Sequence, residues 1–222
     1  MKRTVLKMLA VTLGMALVAS IAVFATDVPV VNDNYSWIPD QAVQNYFELY
    51  DRIVDKRGND ITVSFREMFE EAYESGQYDV IKAFMCENVD YAETLPTKNA
   101  RAIATVWRSD MDTLTSTNHN GRFTMNVLYE AELRYQVNAA GDFTSASIVS
   151  VEVTNSGNIG DLDPEINVTN KRATTTASTA TYRFTINIDQ TILSSDATLN
   201  PLQGQHVYFK WSVTERLDSS DL

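Results

Sequence analysis

The clearest structural signal in the chain is the alternation in residues 122–137, which read RFTMNVLYEAELRYQV. Every second residue from Phe123 to Val137 is apolar, and the residues between them are polar except for Leu128. Because successive side chains of a strand point to opposite faces, this pattern predicts a β-strand with one buried face and one polar face. A strand of that length would extend about 50 Å, so we expect it to bend, to contain a bulge or to serve two sheets.

Further strands are predicted after Pro96, where the spacing of the apolar residues changes from a helical period to an alternating one. The predicted strands cover residues 101–108, 122–137, 143–153, 165–169, 173–188 and 206–214. Residues 173–181 are rich in Thr, Ala and Ser, which is also typical of a flexible linker. We favour a strand there, because threonine is a good strand former and alternating residues follow. Ala140-Gly141-Asp142 is a predicted turn.

Amphipathic helices are predicted before Pro96. They cover residues 41–56, 64–75 and 78–88. In the first, the apolar residues occupy one side of the helix and Gly58 follows as a stop signal. The second begins with Ser64-Phe65-Arg66-Glu67, in which Ser64 and Glu67 are spaced to satisfy free backbone N–H groups. Cys86 falls outside the apolar stripe of the third helix, and its role stays open.

This order of elements predicts an α+β fold, with about three N-terminal helices packed on an antiparallel sheet of about five or six strands. The alternative is a β-sandwich with an N-terminal helical cap. We expect one domain over residues 26–222, helical over 39–88 and β-rich over 101–216. The order resembles that of the nuclear-transport-factor-2-like group, in which helices and a curved sheet often enclose a pocket. That resemblance concerns element order alone, and it carries no residue or activity to this chain.

The N-terminal segment has the pattern of an export signal. Lys2, Arg3 and Lys7 precede an uncharged apolar run over residues 8–25, and the run ends at the small residue Ala25. This pattern predicts a signal peptide over residues 1–25 that is cleaved near Ala25, and hence a secreted or cell-surface protein. An uncleaved membrane anchor is the alternative. A secreted chain with a single cysteine cannot form an intrachain disulfide, which favours a bacterial source.

The overall composition excludes several classes of protein. The 222 residues include 18 Lys+Arg and 29 Asp+Glu, giving a formal net charge of -11. Such an acidic chain argues against nucleic acid, other polyanions and anionic membranes as partners, because all of them attract basic proteins. The hydrophobic fraction of 44% is that of a globular protein. A single cysteine also excludes zinc or iron–sulfur sites built from several cysteines.

The polar face of the 122–137 strand carries the first candidate site. Glu130, Glu132 and Arg134 follow one another on that face, about 7 Å apart. Two carboxylates at that distance suit paired acid chemistry or the binding of a polar ligand. A row of charges facing solvent is the alternative, and we favour it because the sequence gives no sign that these side chains are buried.

The loop near residue 160 carries a candidate calcium site. Asp161, Asp163 and Glu165 offer alternating carboxylates, which are ligands that Ca²⁺ accepts. A solvated acidic turn is the alternative. The two histidines, His119 and His206, belong to no motif of a serine or zinc hydrolase, so the sequence does not support hydrolysis of either type.

From these observations we predict a secreted, non-catalytic binding or structural module whose ligand is unknown. A small-molecule-binding or hydrolytic domain that uses the polar sheet face is the first alternative. A calcium-stabilised surface protein is the second.

Overall fold

A computed structural model describes residues 35–96, 103–156, 164–193 and 200–222. Its helices are α1 (Asp40–Glu48), α2 (Thr62–Glu74) and α3 (Tyr78–Asn88). Its strands are β1 (Arg52–Asp55), β2 (Val89–Glu93), β3 (Ile103–Thr115), β4 (Thr124–Val137), β5 (Phe143–Asn155), β6 (Glu165–Thr175), β7 (Thr179–Thr191) and β8 (His206–Asp218). The predicted signal peptide lies outside the described residues. No helix in the described ranges is long and apolar enough to cross a membrane.

The strands form two antiparallel sheets, so the predicted α+β class is confirmed. Strands β1 to β5 make a five-stranded sheet in chain order, and β6 to β8 make a three-stranded sheet in chain order. The helices pack on one face of the five-stranded sheet, and the three-stranded sheet packs on the other. The strands therefore divide between two sheets, as in the sandwich alternative, while the helices cover one face as the main prediction has it.

The alternating pattern of β4 supplies the centre of the sandwich. Its odd-numbered residues from Met125 to Val137 are all buried, and they pack against the inner faces of β7 and β8. The ring of Tyr129 meets those of Phe184 and Trp211 edge-on, with centroids 5.2 and 5.0 Å apart. Burial of these large apolar side chains is the main force that holds the two sheets together.

Strand β4 contains the irregularity that its length predicts. Its pairing with β5 shifts between Glu132 and Leu133 and again between Gln136 and Val137. Such bulges bend a strand and increase its twist, which allows a long strand to stay paired on both sides.

The helices bury their apolar faces on the other side of the five-stranded sheet. Tyr46 of α1, Phe65 of α2, and Ile81 and Met85 of α3 form one buried cluster, against which Trp107 of β3 packs. Helix α3 has the predicted bounds. Helix α2 starts two residues before Ser64, so the predicted capping box is wrong: the Ser64 hydroxyl donates to the Ile61 carbonyl at 3.0 Å and does not cap the helix.

The cysteine of α3 contributes to packing. Cys86 is partly buried and packs against Ile38, Ala42 and Leu128. Burial is the largest of the effects that raise the pKa of the Cys86 thiol to about 11, so the side chain stays protonated at neutral pH.

The prediction of one helix over residues 41–56 is wrong in its second half. Helix α1 ends at Glu48, where the N–H groups of Leu49 and Tyr50 both donate to the carbonyl oxygen of Asn45. Residues 52–55 instead form β1 at the edge of the sheet and pair with β2. Ile53 and Val54 are both buried, although neighbouring residues of a strand lie on opposite faces. A strand covered on both faces lacks alternation, so it resembles a helical segment in sequence.

Residues 173–181 form two strands joined by a tight turn. The strand β6 ends at Thr175 and β7 begins at Thr179. The N–H of Thr176 donates to the Thr179 carbonyl at 2.8 Å, which closes the hairpin. The prediction of one strand over residues 173–188 is therefore wrong at residues 176–178, which form the turn, whereas the residues on either side of the turn are strands.

Candidate functional site

A cleft of about 330 Å³ lies between α1 and the helix-facing side of β3, β4 and β5. Its lining residues are Pro39, Gln41, Asn45, Leu49, Trp107, Leu128, Glu130, Glu152 and Thr154. Helix α1 supplies amide and apolar side chains, and the sheet supplies two carboxylates and an indole. This mixture of apolar walls and a few polar groups is typical of small-ligand sites.

The register of the sheet brings the two carboxylates of the cleft together. In β4, Glu130 lies directly opposite Ser109 of β3 on one side and Glu152 of β5 on the other. Directly opposed side chains of an antiparallel pair have Cβ atoms about 5 Å apart. The cleft therefore contains two acidic side chains within reach of a single ligand group.

A chain of hydrogen bonds fixes one of these carboxylates. The Nε2 of Gln41 donates to Oδ1 of Asn45 at 3.1 Å, and the Nδ2 of Asn45 donates to Oε1 of Glu130 at 2.8 Å. The hydroxyl of Tyr50 donates to the same Oε1 at 2.7 Å. Burial, and after it the negative charge of Glu130, raises the pKa of Tyr50, so its hydroxyl remains a donor. Both hydrogen bonds to Glu130 are accepted by Oε1, so Oε2 is the oxygen that remains for a ligand.

The three residues of the predicted ligand site separate in the structure. Glu130 lines the cleft, whereas Glu132 and Arg134 lie farther along β4 and are not among its lining residues. The guanidinium of Arg134 lies 3.8 Å from Oε1 of Glu132, and its side chain is 46% exposed. One member of the predicted row is thus a cleft residue, and the other two form a surface ion pair.

Only one residue of the predicted calcium site can be located. Glu165 begins β6, and its Oε1 accepts a hydrogen bond of 3.0 Å from the side chain of Asn167. Asp161 and Asp163 lie outside the described residues. Among the residues that are described, no three His, Cys, Asp or Glu side chains group as metal ligands.

Sequence reasoning missed Glu152, because its place in the cleft depends on the bulges of the β4–β5 hairpin. Val137 pairs with Phe143 beside the predicted turn, and a hairpin without bulges would continue to oppose Glu130 to Ser150. The two register shifts bring Glu152 to that position instead. The turn is readable in the sequence, but the bulges are not.

A second polar cluster lies between the two sheets, and we call it the inter-sheet ion cluster. It contains Arg108 of β3, Glu93 of β2 and Glu215 of β8, together with the hydroxyl of Tyr129. The Arg108 guanidinium pairs with Glu93 and lies 3.8 Å from Glu215, to which Tyr129 donates a hydrogen bond. The side chains of Arg108 and Glu93 are only 9% and 10% exposed. A buried arginine between two carboxylates ties the sheets together electrostatically.

Asp110 borders this cluster and has an unusual protonation equilibrium. Burial, and after it the negative charges of Glu215, Asp90 and Asp112, raise the pKa of Asp110 to about 7. The carboxyl is therefore partly protonated near neutral pH, which makes this region of the fold sensitive to pH.

The cleft has the chemistry of a site for a positively charged group. None of its lining residues is basic, so the described part of the cleft contains no side chain that would neutralise Glu130 and Glu152. Leu49, Leu128 and Trp107 offer apolar surface beside them.

Comparisons with protein-family models, curated proteins and solved structures find no match to this chain.

Proposed function

We propose that the chain is an exported, non-catalytic binding module whose cleft holds a primary ammonium group carried on an apolar body. The observation that supports this most directly is the opposition of Glu130 and Glu152 across β4 and β5. Two like charges directly opposite each other in a sheet destabilise it, and a cation between them offsets that repulsion.

The other cleft residues complete the recognition of such a ligand. Ammonium groups donate up to three hydrogen bonds, which suits two carboxylates and the hydroxyl of Thr154. The indole of Trp107 offers an aromatic surface, and aromatic rings attract cations. Leu49 and Leu128 would bury the carbon chain that carries the charge.

Binding of pentylamine to the full chain tests this proposal by calorimetry, with 1-pentanol as the uncharged ligand of equal chain length. We expect pentylamine to bind and pentanol to bind at least tenfold more weakly, because a hydrogen bond to a charged group is worth about 1.5–3 kcal/mol. Glu152→Gln is expected to weaken pentylamine binding about tenfold. Glu152 is exposed, so its replacement is expected to leave the fold intact.

Glu71→Gln is the matched control, because it removes the same charge from an exposed site on α2. We expect it to leave pentylamine affinity unchanged. Equal affinities for pentylamine and pentanol would contradict the proposal. An equal effect of the two substitutions would also contradict it, because pentylamine would then be attracted by the net negative charge of the whole chain and not by the cleft.

Export is the other element of this proposal, and it is supported by the sequence pattern of residues 1–25. In a bacterial expression host, we expect mass spectrometry of the exported chain to give an N-terminus close to Thr26. Recovery of the uncut chain from the membrane fraction would instead support the anchor alternative.

A further inference from the structure

The cleft consists of three successive layers, because α1 runs alongside β4. Ala42 and Leu128 belong to one buried cluster near the start of the helix, and Asn45 donates to Glu130 about one turn later. One turn of helix rises about 5.4 Å and two strand residues rise about 6.6 Å, so the two elements stay in step. We name the layers by their lining residues: an apolar layer (Leu49 and Trp107), an acidic layer (Asn45, Glu130 and Glu152) and a mixed layer (Gln41, Leu128 and Thr154).

The acidic layer lies between the apolar layer and the mixed layer. Trp107 lies opposite Glu132 of β4, two residues beyond Glu130. Leu128 lies two residues before Glu130, opposite Thr154. An ammonium group held by the two carboxylates would therefore have an apolar surface about 7 Å to one side and a polar group about 7 Å to the other. A ligand that uses all three layers must branch at the carbon that carries its nitrogen.

The mixed layer offers one hydrogen-bond donor, the hydroxyl of Thr154. Its oxygen is shielded from water yet has no hydrogen-bond partner among the described residues. The hydroxyl therefore loses no bond when it turns about the Cα–Cβ bond towards a ligand. A hydroxyl accepts two hydrogen bonds as well as donating one, so contact with the ammonium group leaves its proton available for a second ligand atom.

The mixed layer also offers one acceptor, Oε1 of Gln41. An ionised carboxylate can only accept hydrogen bonds, so Asn45 presents its N–H group to Glu130. The oxygen of Asn45 then accepts from Nε2 of Gln41, which leaves the Gln41 oxygen for a ligand. The direction of this chain of hydrogen bonds is thus set by the acidic layer.

From this arrangement we infer that the cleft binds the amino terminus of a peptide whose first side chain is large and apolar. The inference rests on the proposed function, since it takes the ammonium group to lie between the two carboxylates. The α-carbon of such a residue carries the three branches that the layers require: the ammonium group, the side chain and the carbonyl group. The carbonyl oxygen accepts from Thr154, and the N–H that follows it donates to Gln41. The side chain packs on Leu49 and Trp107.

The rest of the peptide leaves the cleft past the N-terminal end of α1. Pro39 and Gln41 are both exposed there, so the chain beyond the first peptide group meets solvent. A free amino acid fits less well, because its own carboxylate would lie beside Glu130 and Glu152, and none of the described lining residues is basic. A simple amine fits less well too, because it leaves the mixed layer without partners.

Calorimetry of the full chain with L-leucinamide tests this inference, with D-leucinamide and isoamylamine as the matched ligands. L-Leucinamide has the groups of an amino-terminal leucine, D-leucinamide has the same groups in mirror-image arrangement, and isoamylamine lacks the amide. We expect L-leucinamide to bind about fivefold more tightly than either, which corresponds to one ordinary hydrogen bond. Free L-leucine is expected to bind about tenfold more weakly than L-leucinamide, because of its carboxylate.

Thr154→Val is expected to reduce the preference for L-leucinamide over D-leucinamide to less than about twofold, because the variant keeps the branched shape and loses the donor. Its melting temperature is expected to be no lower than that of the parent chain, since the hydroxyl that it removes has no partner among the described residues. Thr174→Val is the matched control, because it removes the same group from an exposed position of β6 outside the cleft. It is expected to leave the preference unchanged.

The outcomes separate this inference from the proposed function. Binding of isoamylamine with equal affinities for the two leucinamides would overturn the peptide inference and leave the ammonium site in place. If neither isoamylamine nor the leucinamides bind, both proposals fail. A preference for L-leucinamide that Thr154→Val retains would also overturn the inference, because Thr154 would then not hold the carbonyl group.

Discussion

Replacing Arg108 with Met is expected to lower the free energy of unfolding by about 3–5 kcal/mol, the usual cost of removing one partner from a buried ion pair. Without the guanidinium, and within the described part of the chain, Glu93 keeps only Arg52, whose Nη1 lies 3.3 Å away, and Glu215 keeps only the hydroxyl of Tyr129, so the buried cluster loses its central donor. Methionine fills a similar volume, so the loss of packing contributes little. Urea denaturation at pH 7 measures the change, and the slope of the transition is expected to stay constant.

Arg216→Met provides the matched control for this prediction. Arg216 also pairs with an acid, Asp218, at 3.0 Å, but its side chain is 63% exposed. Exposed pairs are worth less than about 1 kcal/mol, so this variant is expected to be nearly as stable as the parent chain. Similar losses in the two variants would show that burial of Arg108 is not what makes its ion pairs important.

Replacing Asp110 with Asn is expected to raise the free energy of unfolding at pH 8 by about 2 kcal/mol, allowing for partial contact of this carboxyl with solvent. The folded-state pKa of Asp110 is raised to about 7, far above its value of about 3.9 in an unfolded chain. Between these two values the folded state holds a proton that the unfolded state has released. The stability that this proton provides is complete below pH 4 and is lost as the pH rises through about 7.

Because the pKa of Asp110 is higher in the folded state than in the unfolded state, stability falls as the pH rises. The parent chain loses stability between pH 5 and pH 8, and Asp110→Asn flattens the decline. The titratable groups that interact with Asp110 are Glu215 of β8, Tyr129 of β4, Asp112 of β3, Asp90 of β2 and Tyr46 of α1. Asp112→Asn is the control, because Asp112 is exposed and its removal is expected to leave most of the slope in place. Equal slopes in the parent and in Asp110→Asn would refute the assignment.

The fold was predictable wherever a single physical pattern dominates. The alternation of β4 predicted its buried face, because that strand has an apolar core on one side and a largely polar face on the other. Helix α3 was predicted with its observed bounds. Strand β1 was not predicted, because its neighbouring residues Ile53 and Val54 are buried on opposite faces of the sheet. A strand covered on both faces shows no alternation of apolar and polar residues. Its partner β2 has only five residues, too few for a clear pattern.

The candidate site was only partly predictable, for a different reason. Glu130 stood out because it belongs to the most regular strand of the chain. Asn45 and Tyr50 were part of a predicted helical segment, but nothing in the sequence indicates that they donate to Glu130. Glu152 reaches the cleft through two bulges whose positions depend on how β4 and β5 twist. Contacts between distant residues depend on register, which residue patterns alone do not specify.

The order of the strands has a consequence for how the chain folds. Within each sheet every strand pairs with its neighbour in sequence, so hairpins such as β3–β4 and β6–β7 close through local loops at a small cost in entropy. The docking of the two sheets, which joins Arg108 to Glu215, links residues much farther apart in the chain. We therefore expect the hairpins to be largely formed in the transition state and the ion cluster to assemble after it. The cluster would then act mainly by slowing unfolding, so it would set the lifetime of the folded chain more than the speed at which it forms.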